Sequence, residues 1–208
     1  MSTKPLHAVI LAGGLSRRMG RDKAIVLLGQ KTMIARVAER LSPQVASLAV
    51  NALQPPDPDL SLPLVPDTIA GHAGPLAGIL AGLKRTRTEY PAASHLLTVP
   101  ADTPFLPADL ADRLHAALRG PDEIALAASA GRSHPVVALW PLSIAADLEA
   151  WLADPANRRL QSFIASHAAT VVDFPLIETA AGPLDPFFNV NTPDDLVAAE
   201  RFLEALEA

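Results

Sequence analysis

Cysteine is missing from the 208-residue sequence, and so is any long apolar run. Without cysteine the chain can form neither disulfides nor thiolate metal sites, and it has no cysteine nucleophile. A membrane-spanning helix needs roughly 18 consecutive apolar residues, and no stretch reaches that length. The first residues, MSTKP, carry a single basic side chain, and the apolar stretch behind them is interrupted at Gly13. We therefore expect no signal peptide and a cytoplasmic location.

Excess positive charge is also missing, because the net charge is −5 and like charges form no block. A nucleic-acid-binding surface is normally basic, so we expect a small molecule as partner, and neither nucleic acid nor a membrane. The exception is local: Arg17, Arg18, Arg21 and Lys23 place four cations within seven positions. Such a cluster suits an anionic small molecule.

Predicted strands and helices alternate along most of the chain. Strands are expected at 7–11, 48–50, 95–99, 124–128, 136–140 and 170–174, with a short further one at 64–65. Helices are expected at 32–41, 76–85, 107–118, 142–152, 160–165 and from 193 to about 204. This alternation predicts an α/β fold with a mostly parallel sheet covered by helices on both faces. Neither a repeat nor a linker divides the chain, so residues 1–208 are predicted to form one domain.

The segment 11–23, LAGGLSRRMGRDK, leaves the first predicted strand at its carboxyl end, where open α/β sheets bind ligands. Gly13 and Gly14 permit conformations that direct amide N–H groups at an anion, and Arg18 and Lys23 could bind phosphate oxygens. The spacing fits neither a P-loop, whose lysine directly follows its last glycine, nor the dinucleotide fingerprint, whose glycines are not adjacent. The alternative is a plain turn with exposed arginines. The combination of glycines and cations favours phosphate binding.

Two carboxylates and an amide follow predicted strands and are expected at the same sheet edge. Asp102, within PADTPFL (100–106), could hold Mg²⁺, which takes one or two carboxylates together with substrate phosphates and water. Its alternative is an Asx-turn before the next helix, and the neighbouring phosphate loop favours the metal. Asp67 could reach the base or ribose, share the metal, or close a turn. Asn51 could bind a base edge or belong to an ordinary turn.

The remaining polar candidates are less specific. His134 stands alone in the sequence, and a lone histidine is more often structural than catalytic. No Ser/His/Asp or metal–histidine pattern is recognisable. Asn189 and Asn191 flank Val190, so in an extended segment both side chains face one side. They could bind the phosphate of a second substrate or the water shell of the metal, or form a cap and loop network before the last helix.

Five segments follow one another in a distinctive order: LAGGLSRRMGRDK (11–23), GPLAGI (74–79), PADTPFL (100–106), SHPVVALW (133–140) and NVNTPDDL (189–196). Together they resemble the nucleotidyltransferases of the molybdenum cofactor guanylyltransferase type, and the likeness spans nearly the whole chain. The resemblance implies a three-layer α/β/α sandwich of Rossmann-like type. It also implies transfer of GMP from Mg²⁺-bound GTP to the terminal phosphate of molybdopterin, with release of pyrophosphate.

The resemblance further implies roles for individual residues. The backbone of Leu11, Ala12 and Gly13 would contact the guanine nucleotide, and Gly14, Arg18 and Lys23 would bind its triphosphate. Further contacts with GTP would come from Asn51 and Asp67, and Asp102 would bind Mg²⁺. Asn189 and Asn191 would lie on the molybdopterin side. The catalytic set would be Arg18, Lys23 and Asp102. The chain departs from the family pattern at Ala101, where cysteine is frequent, but the chemistry does not require that cysteine. The family also implies transient contacts with molybdoenzymes or their chaperones.

The implied reaction is attack by an anionic phosphate oxygen on the α-phosphorus, which needs no strong general base. Catalysis would rest on positioning and on charge neutralisation by Mg²⁺ at Asp102 and by Arg18 and Lys23. A cytidylyltransferase for the same pterin is the nearest rival. Such enzymes tend to have alanine at the position of Gly13, so this glycine favours GTP. A sugar-phosphate nucleotidyltransferase and a non-catalytic nucleotide- or pterin-binding module are more distant rivals.

Overall fold

The computed structural model describes residues 5–13, 26–56, 58–69 and 74–207. The strands are β1 (His7–Leu11), β2 (Leu27–Leu28), β3 (Lys31–Thr32), β4 (Ser47–Asn51), β5 (His95–Pro100), β6 (Ile124–Ser129), β7 (Arg132–Pro141), β8 (Ala169–Phe174), β9 (Ile177–Thr179) and β10 (Gly182–Leu184). Six of them form one sheet in the order β4-β1-β5-β7-β6-β8. All neighbours in this sheet are parallel except those that involve β7. The prediction of a mostly parallel sheet is confirmed.

Helices cover both faces of this sheet. They are α1 (Met33–Leu41), α2 (Pro75–Glu89), α3 (Leu110–Ala117), α4 (Ala145–Ala153), α5 (Leu160–Ile164) and α6 (Pro193–Glu207). Successive residues of β1 face opposite sides, so Val9 packs in one core cluster with α2, α4 and α5, and Ile10 packs in another with α1 and α3. This arrangement confirms the three-layer α/β/α sandwich. No helix in the described part of the chain is long and apolar enough to cross a membrane.

Element boundaries differ from the prediction where the local signals were ambiguous. The helix expected from residue 107 begins at Leu110, because Pro107 occupies a turn in which its carbonyl accepts from Leu110 N–H at 3.3 Å. The helix expected at 142–152 is a 3₁₀ turn (Leu142–Ile144) followed by α4. Residues 64–65 form only an isolated bridge between Leu64 and Val50. The hairpins β2–β3 and β9–β10 were not predicted, since strands of two or three residues are too short for a visible period.

A bulge interrupts the pairing between β6 and β7. Ala138 of β7 lies opposite Leu126, yet the next residue of β6, Ala127, lies opposite His134. Residues 135–137 are therefore left out of this ladder, and the segment includes a proline, which has no N–H to donate. The buried Thr98 hydroxyl donates to the carbonyl of Val136 at 2.7 Å and stabilises the bulge from the β5 side. Because β7 runs antiparallel to β5 and β6, its start lies at the carboxyl edge of the parallel strands.

Candidate functional site

The carboxyl ends of β4, β1 and β5 lie side by side at one edge of the sheet. Leu11, at the end of β1, pairs with Asn51 at the end of β4. Backbone hydrogen bonds continue beyond the strands, because Ala12 N–H donates to Asn51 O at 3.2 Å and Ala101 N–H donates to Leu11 O at 3.1 Å. The structure thus brings the start of the glycine-rich segment, Asn51 and the turn that carries Asp102 to one edge, as the sequence predicted.

Asn51 and Asp67 form a hydrogen-bonded pair at this edge. Asn51 is only 3% exposed, and its Nδ2 donates to Val65 O and to Asp67 Oδ1, both at 2.8 Å. The segment before Asp67 is held against β4, since Val50 N–H donates to Pro63 O at 2.9 Å and Val65 N–H donates to Val50 O at 2.8 Å. A buried amide therefore fixes the orientation of the exposed Asp67 carboxylate.

Two glycines make room for the Asn51 side chain. A Cβ on Gly78, in the second turn of α2, would overlap Asn51 Oδ1 and come within 3.0 Å of a Leu11 methyl carbon. A Cβ on Gly13 would lie 3.1 Å from the same amide oxygen. The motif GPLAGI is recognised in the sequence, but it predicts no individual role for Gly78. The available signal was a glycine inside a helix, where glycine costs about 1 kcal/mol relative to alanine.

Asp102, in the turn after β5, contacts the segment that precedes α6. Asn189 Nδ2 donates to Asp102 Oδ1 at 2.9 Å, and Val190 N–H donates to Asp102 O at 2.9 Å. The predicted metal ligand and a residue predicted on the second-substrate side therefore meet. Asn191 instead enters the cap of α6, where its N–H donates to Asp195 Oδ2 at 2.9 Å, while its Nδ2 reaches Asn189 O at 3.5 Å.

The described residues contain no group of three or more histidine, aspartate or glutamate side chains that could hold a metal ion. Zinc commonly takes three or four protein ligands. Mg²⁺ binds through one or two carboxylates and takes its other ligands from substrate phosphates and water. The hard oxygens of Asp102, at the edge where a nucleotide would lie, fit this second arrangement.

A third polar group, which we call the Ser129 cluster, consists of Ser129, His134 and Asp185. Ser129 Oγ donates to Asp185 Oδ1 at 2.6 Å and lies 2.7 Å from His134 Nε2. Sequence reasoning missed this group, because 56 residues separate the serine from the aspartate. The cluster is not a nucleophilic triad, since Ser129 is 0% exposed and the carboxylate contacts the serine hydroxyl. Burial lowers the pKa of His134, Asp185 opposes this effect, and Arg132 adds to it.

The predicted triphosphate ligands Gly14, Arg18 and Lys23 lie outside the described residues, as do Arg17 and Arg21. Their roles stay predictions. Gly13, the last described residue before them, lies beside Asn51 at this sheet edge.

Comparison with known proteins gives consistent matches over most of the chain. The sequence profile of the MobA-like NTP transferase domain matches residues 8–171. The molybdenum cofactor guanylyltransferase of Rhizobium meliloti (strain 1021) is 55% identical over 214 residues, covering 100% of this chain and 98% of the relative. The molybdenum cofactor guanylyltransferase of Sinorhizobium fredii is 56% identical over 202 residues, covering 96% of this chain and 93% of the relative. The match to the Rhizobium meliloti protein covers the whole chain and therefore spans the positions of all five motif segments.

Solved structures share the fold. Molybdopterin-guanine dinucleotide biosynthesis protein A from Archaeoglobus fulgidus superposes with a TM-score of 0.70 at 22% identity, covering 95% of this chain and 98% of that one. A 4-diphosphocytidyl-2C-methyl-D-erythritol synthase from Anaerococcus prevotii gives 0.69 at 16% identity, covering 97% and 96%. At such identities the likeness establishes the nucleotidyltransferase fold alone. The second of these enzymes is named for a cytidyl product, so the choice of nucleotide must come from the site.

Proposed function

We propose that this chain, which belongs to the MobA-like NTP transferases and among them to the molybdenum cofactor guanylyltransferases, transfers GMP from GTP to the terminal phosphate of molybdopterin. The observation that carries this proposal is that the five motif segments, as far as the structure describes them, converge on one sheet edge. Gly13 and Gly78 adjoin Asn51, and Asn189 binds Asp102. The SHPVVALW strand, β7, begins at the same edge. A nucleotide and a phosphorylated acceptor would lie over adjacent strand ends there.

The Asn51–Asp67 pair is proposed to recognise guanine. Asn51 Nδ2 donates one of its hydrogens to Val65 O and the other to Asp67 Oδ1, so the amide serves to orient the carboxylate. An ionised carboxylate only accepts hydrogen bonds, and guanine presents two neighbouring donors, N1–H and the N2 amino group. Cytosine presents acceptors at N3 and O2, which would face the Asp67 oxygens unfavourably. This complementarity favours GTP over CTP.

The phosphate end of the nucleotide is assigned to Asp102 and to the glycine-rich segment. Asp102 would hold Mg²⁺, and that ion would neutralise negative charge on the triphosphate and on the departing pyrophosphate. Gly14 N–H, Arg18 and Lys23 would bind the triphosphate oxygens from the other side. Asn189 keeps the Asp102 carboxylate in one orientation through the 2.9 Å bond to Oδ1.

The acceptor phosphate is assigned to the side of Asn189 and Asn191. Its oxygen forms a bond to the α-phosphorus of GTP while the bond from that phosphorus to the bridging α–β oxygen breaks, and pyrophosphate leaves. A phosphate is anionic near neutral pH, so it needs no base to activate it. The protein therefore contributes orientation and charge neutralisation, which are the main effects in phosphoryl transfer.

A side-by-side transfer assay with molybdopterin and either GTP or CTP tests this proposal. We expect pyrophosphate release and pterin dinucleotide formation with GTP, and rates at least about 10²-fold lower with CTP, because buried or fixed polar groups reject a mismatched base strongly. CMP transfer as fast as GMP transfer would overturn the assignment of GTP. Nucleotide binding without pyrophosphate release from either nucleotide would instead identify a binding module.

A further inference from the structure

The Ser129 cluster has no part in the proposed reaction, yet it lies at the same sheet edge as Asp102. Buried polar side chains are costly unless they are hydrogen-bonded, so a fully buried serine with two polar partners is a built feature. Ser129 comes from the end of β6, His134 from the start of β7, and Asp185 from the segment after β10. The cluster thus joins two sheet strands to a segment of chain outside the sheet.

Asp185 is also hydrogen-bonded to the residues that follow it in the chain. Its Oδ1 accepts from Phe187 N–H at 2.8 Å as well as from Ser129, and its carbonyl accepts from Phe188 N–H at 3.0 Å. The Phe187 ring is only 1% exposed and packs against the ring of His134, with 4.8 Å between centroids. The turn at 185–188 is therefore fixed by hydrogen bonds and by ring packing.

This turn leads directly to the two residues that bind Asp102. Asn189 contacts the carboxylate and Val190 N–H contacts the carbonyl, each at 2.9 Å. We propose that Ser129 and His134 are positioning residues for Asp102, which act through Asp185 and the segment 185–190. The inference deepens the proposed function of the Asp102 site, although its structural part holds independently of the nucleotide that is used.

Hydrogen exchange at the Val190 amide tests the structural part. In Ser129→Ala, Asp185 loses the donor that ties it to β6, and we expect Val190 to exchange at least about 10-fold faster than in the wild type. The Ile10 amide in β1 serves as reference for global unfolding and should be much less affected. His134→Gln, which removes the ring packed on Phe187, should give the same pattern and provides a second variant should Ser129→Ala fold poorly.

The chain offers a closely matched control at another place in the fold. Ser166 Oγ lies 3.1 Å from His167 Nδ1, His167 Nε2 lies 3.7 Å from Asp147, and the His167 ring packs on Phe163 at 4.4 Å. This group repeats the residue types of the Ser129 cluster, but it precedes β8, and its side chains contact Phe163 and Asp147 and not the segment 185–190. Ser166→Ala and His167→Gln should leave Val190 exchange unchanged.

The functional part is tested by the affinity of the protein for the Mn²⁺–GTP complex, measured by electron paramagnetic resonance of the bound Mn²⁺. Loss of groups that orient a metal ligand weakens metal binding by roughly 10-fold or more, and we expect this for Ser129→Ala and His134→Gln. Asp185→Asn keeps an acceptor for both donors and should retain most of the affinity, whereas Asp185→Ala should not. If the wild-type protein bound no Mn²⁺–GTP, the proposed function would be contradicted. The hydrogen-exchange experiment would then decide by itself whether Ser129 and His134 position Asp102.

Three results would overturn the inference. The first is unchanged Val190 exchange in both Ser129→Ala and His134→Gln. The second is an equal acceleration at Val190 and Ile10, which would mean uniform destabilisation. The third is wild-type Mn²⁺–GTP affinity in variants that do accelerate Val190 exchange, because a looser segment would then leave Asp102 unaffected.

Discussion

At the scale of single residues, Asp102 combines two contacts that mutation can separate. Its carboxylate, the proposed Mg²⁺ ligand, accepts from Asn189 Nδ2, while its backbone carbonyl accepts from Val190 N–H, both at 2.9 Å. Asp102→Ala removes the first and keeps the second. We expect GMP transfer to fall by at least about 10²-fold, because charge stabilisation of the transition state is lost. The midpoint of thermal unfolding should move by no more than about 4 °C.

Asp147→Ala is the control for this prediction, since Asp147 is 72% exposed and lies on α4. It should keep both transfer activity and thermal stability. Rates are measured by conversion of labelled GTP in the presence of Mg²⁺, and unfolding by circular dichroism. Full transfer activity in Asp102→Ala would rule out this aspartate as the metal ligand.

At the scale of secondary-structure elements, the close approach of α2 to the strand ends depends on Gly78. Alanine normally stabilises a helix by about 1 kcal/mol relative to glycine. In Gly78→Ala, however, the new methyl group would overlap Asn51 Oδ1, so Asn51 must move away from Asp67. We expect the free energy of unfolding to fall by about 1–3 kcal/mol, as for other overpacked sites. GTP binding should weaken in parallel.

Gly120→Ala, in a loop, is the control, because among the described residues a Cβ at Gly120 meets no atom of a non-neighbouring residue within 4 Å. Urea unfolding and equilibrium GTP binding of the two variants give the comparison. Equal stability of Gly78→Ala and Gly120→Ala would show that Asn51 can relax without cost, and the proposed role of Gly78 would be wrong.

Local sequence signals are sufficient to predict some of the secondary-structure elements. The apolar run of β1 is buried on both faces, which is what a central parallel strand requires, and its predicted bounds agree with the structure. Thr32 was predicted as the start of α1 and is its N-cap, accepting from Ala35 N–H at 3.3 Å. The signal at Pro107 was misleading, because proline fits a turn as readily as the first turn of a helix.

At the scale of the whole molecule, the site is predictable to the extent that it follows from strand direction. Asn51 ends β4 and Asp102 lies in the turn after β5, and the prediction that they share an edge with the start of the glycine-rich segment, residues 11–13, is confirmed. The Ser129 cluster depends instead on the antiparallel insertion of β7 and on a distant turn, neither of which leaves a local pattern. The role of Asn189 is implied by the family resemblance, but its contact with Asp102 depends on the three-dimensional path of residues 185–190.

Acid should destabilise the whole fold through its buried histidines. Burial lowers the pKa of His7, which is 5% exposed, stacks on Tyr90 at 3.8 Å and lies 2.7 Å from Ser47 Oγ. The unfolded chain therefore takes up a proton near the ordinary pKa of 6.5, before the folded protein does. Stability is at its full value above pH 6.5 and declines as the pH falls through the folded pKa. His134 contributes in the same direction.

Urea unfolding at pH 7.5 and pH 5.5 checks this prediction. His7→Phe keeps an aromatic ring beside Tyr90 but cannot take up a proton, so the stability it loses between the two pH values should be smaller than in the wild type. An unchanged loss in His7→Phe would assign the acid sensitivity to other groups.

The bulge in β7 has a consequence for how this edge of the sheet can evolve. Residues 138–141 pair with β5 in the centre of the sheet, whereas residues 132–134 pair with β6 at the site edge. The intervening residues 135–137 are outside the β6 ladder, so the two parts of the strand are not bound to a common register. Insertions or deletions at this point can alter the edge near Ser129 and His134 while Asn51 and the turn that carries Asp102 keep their positions.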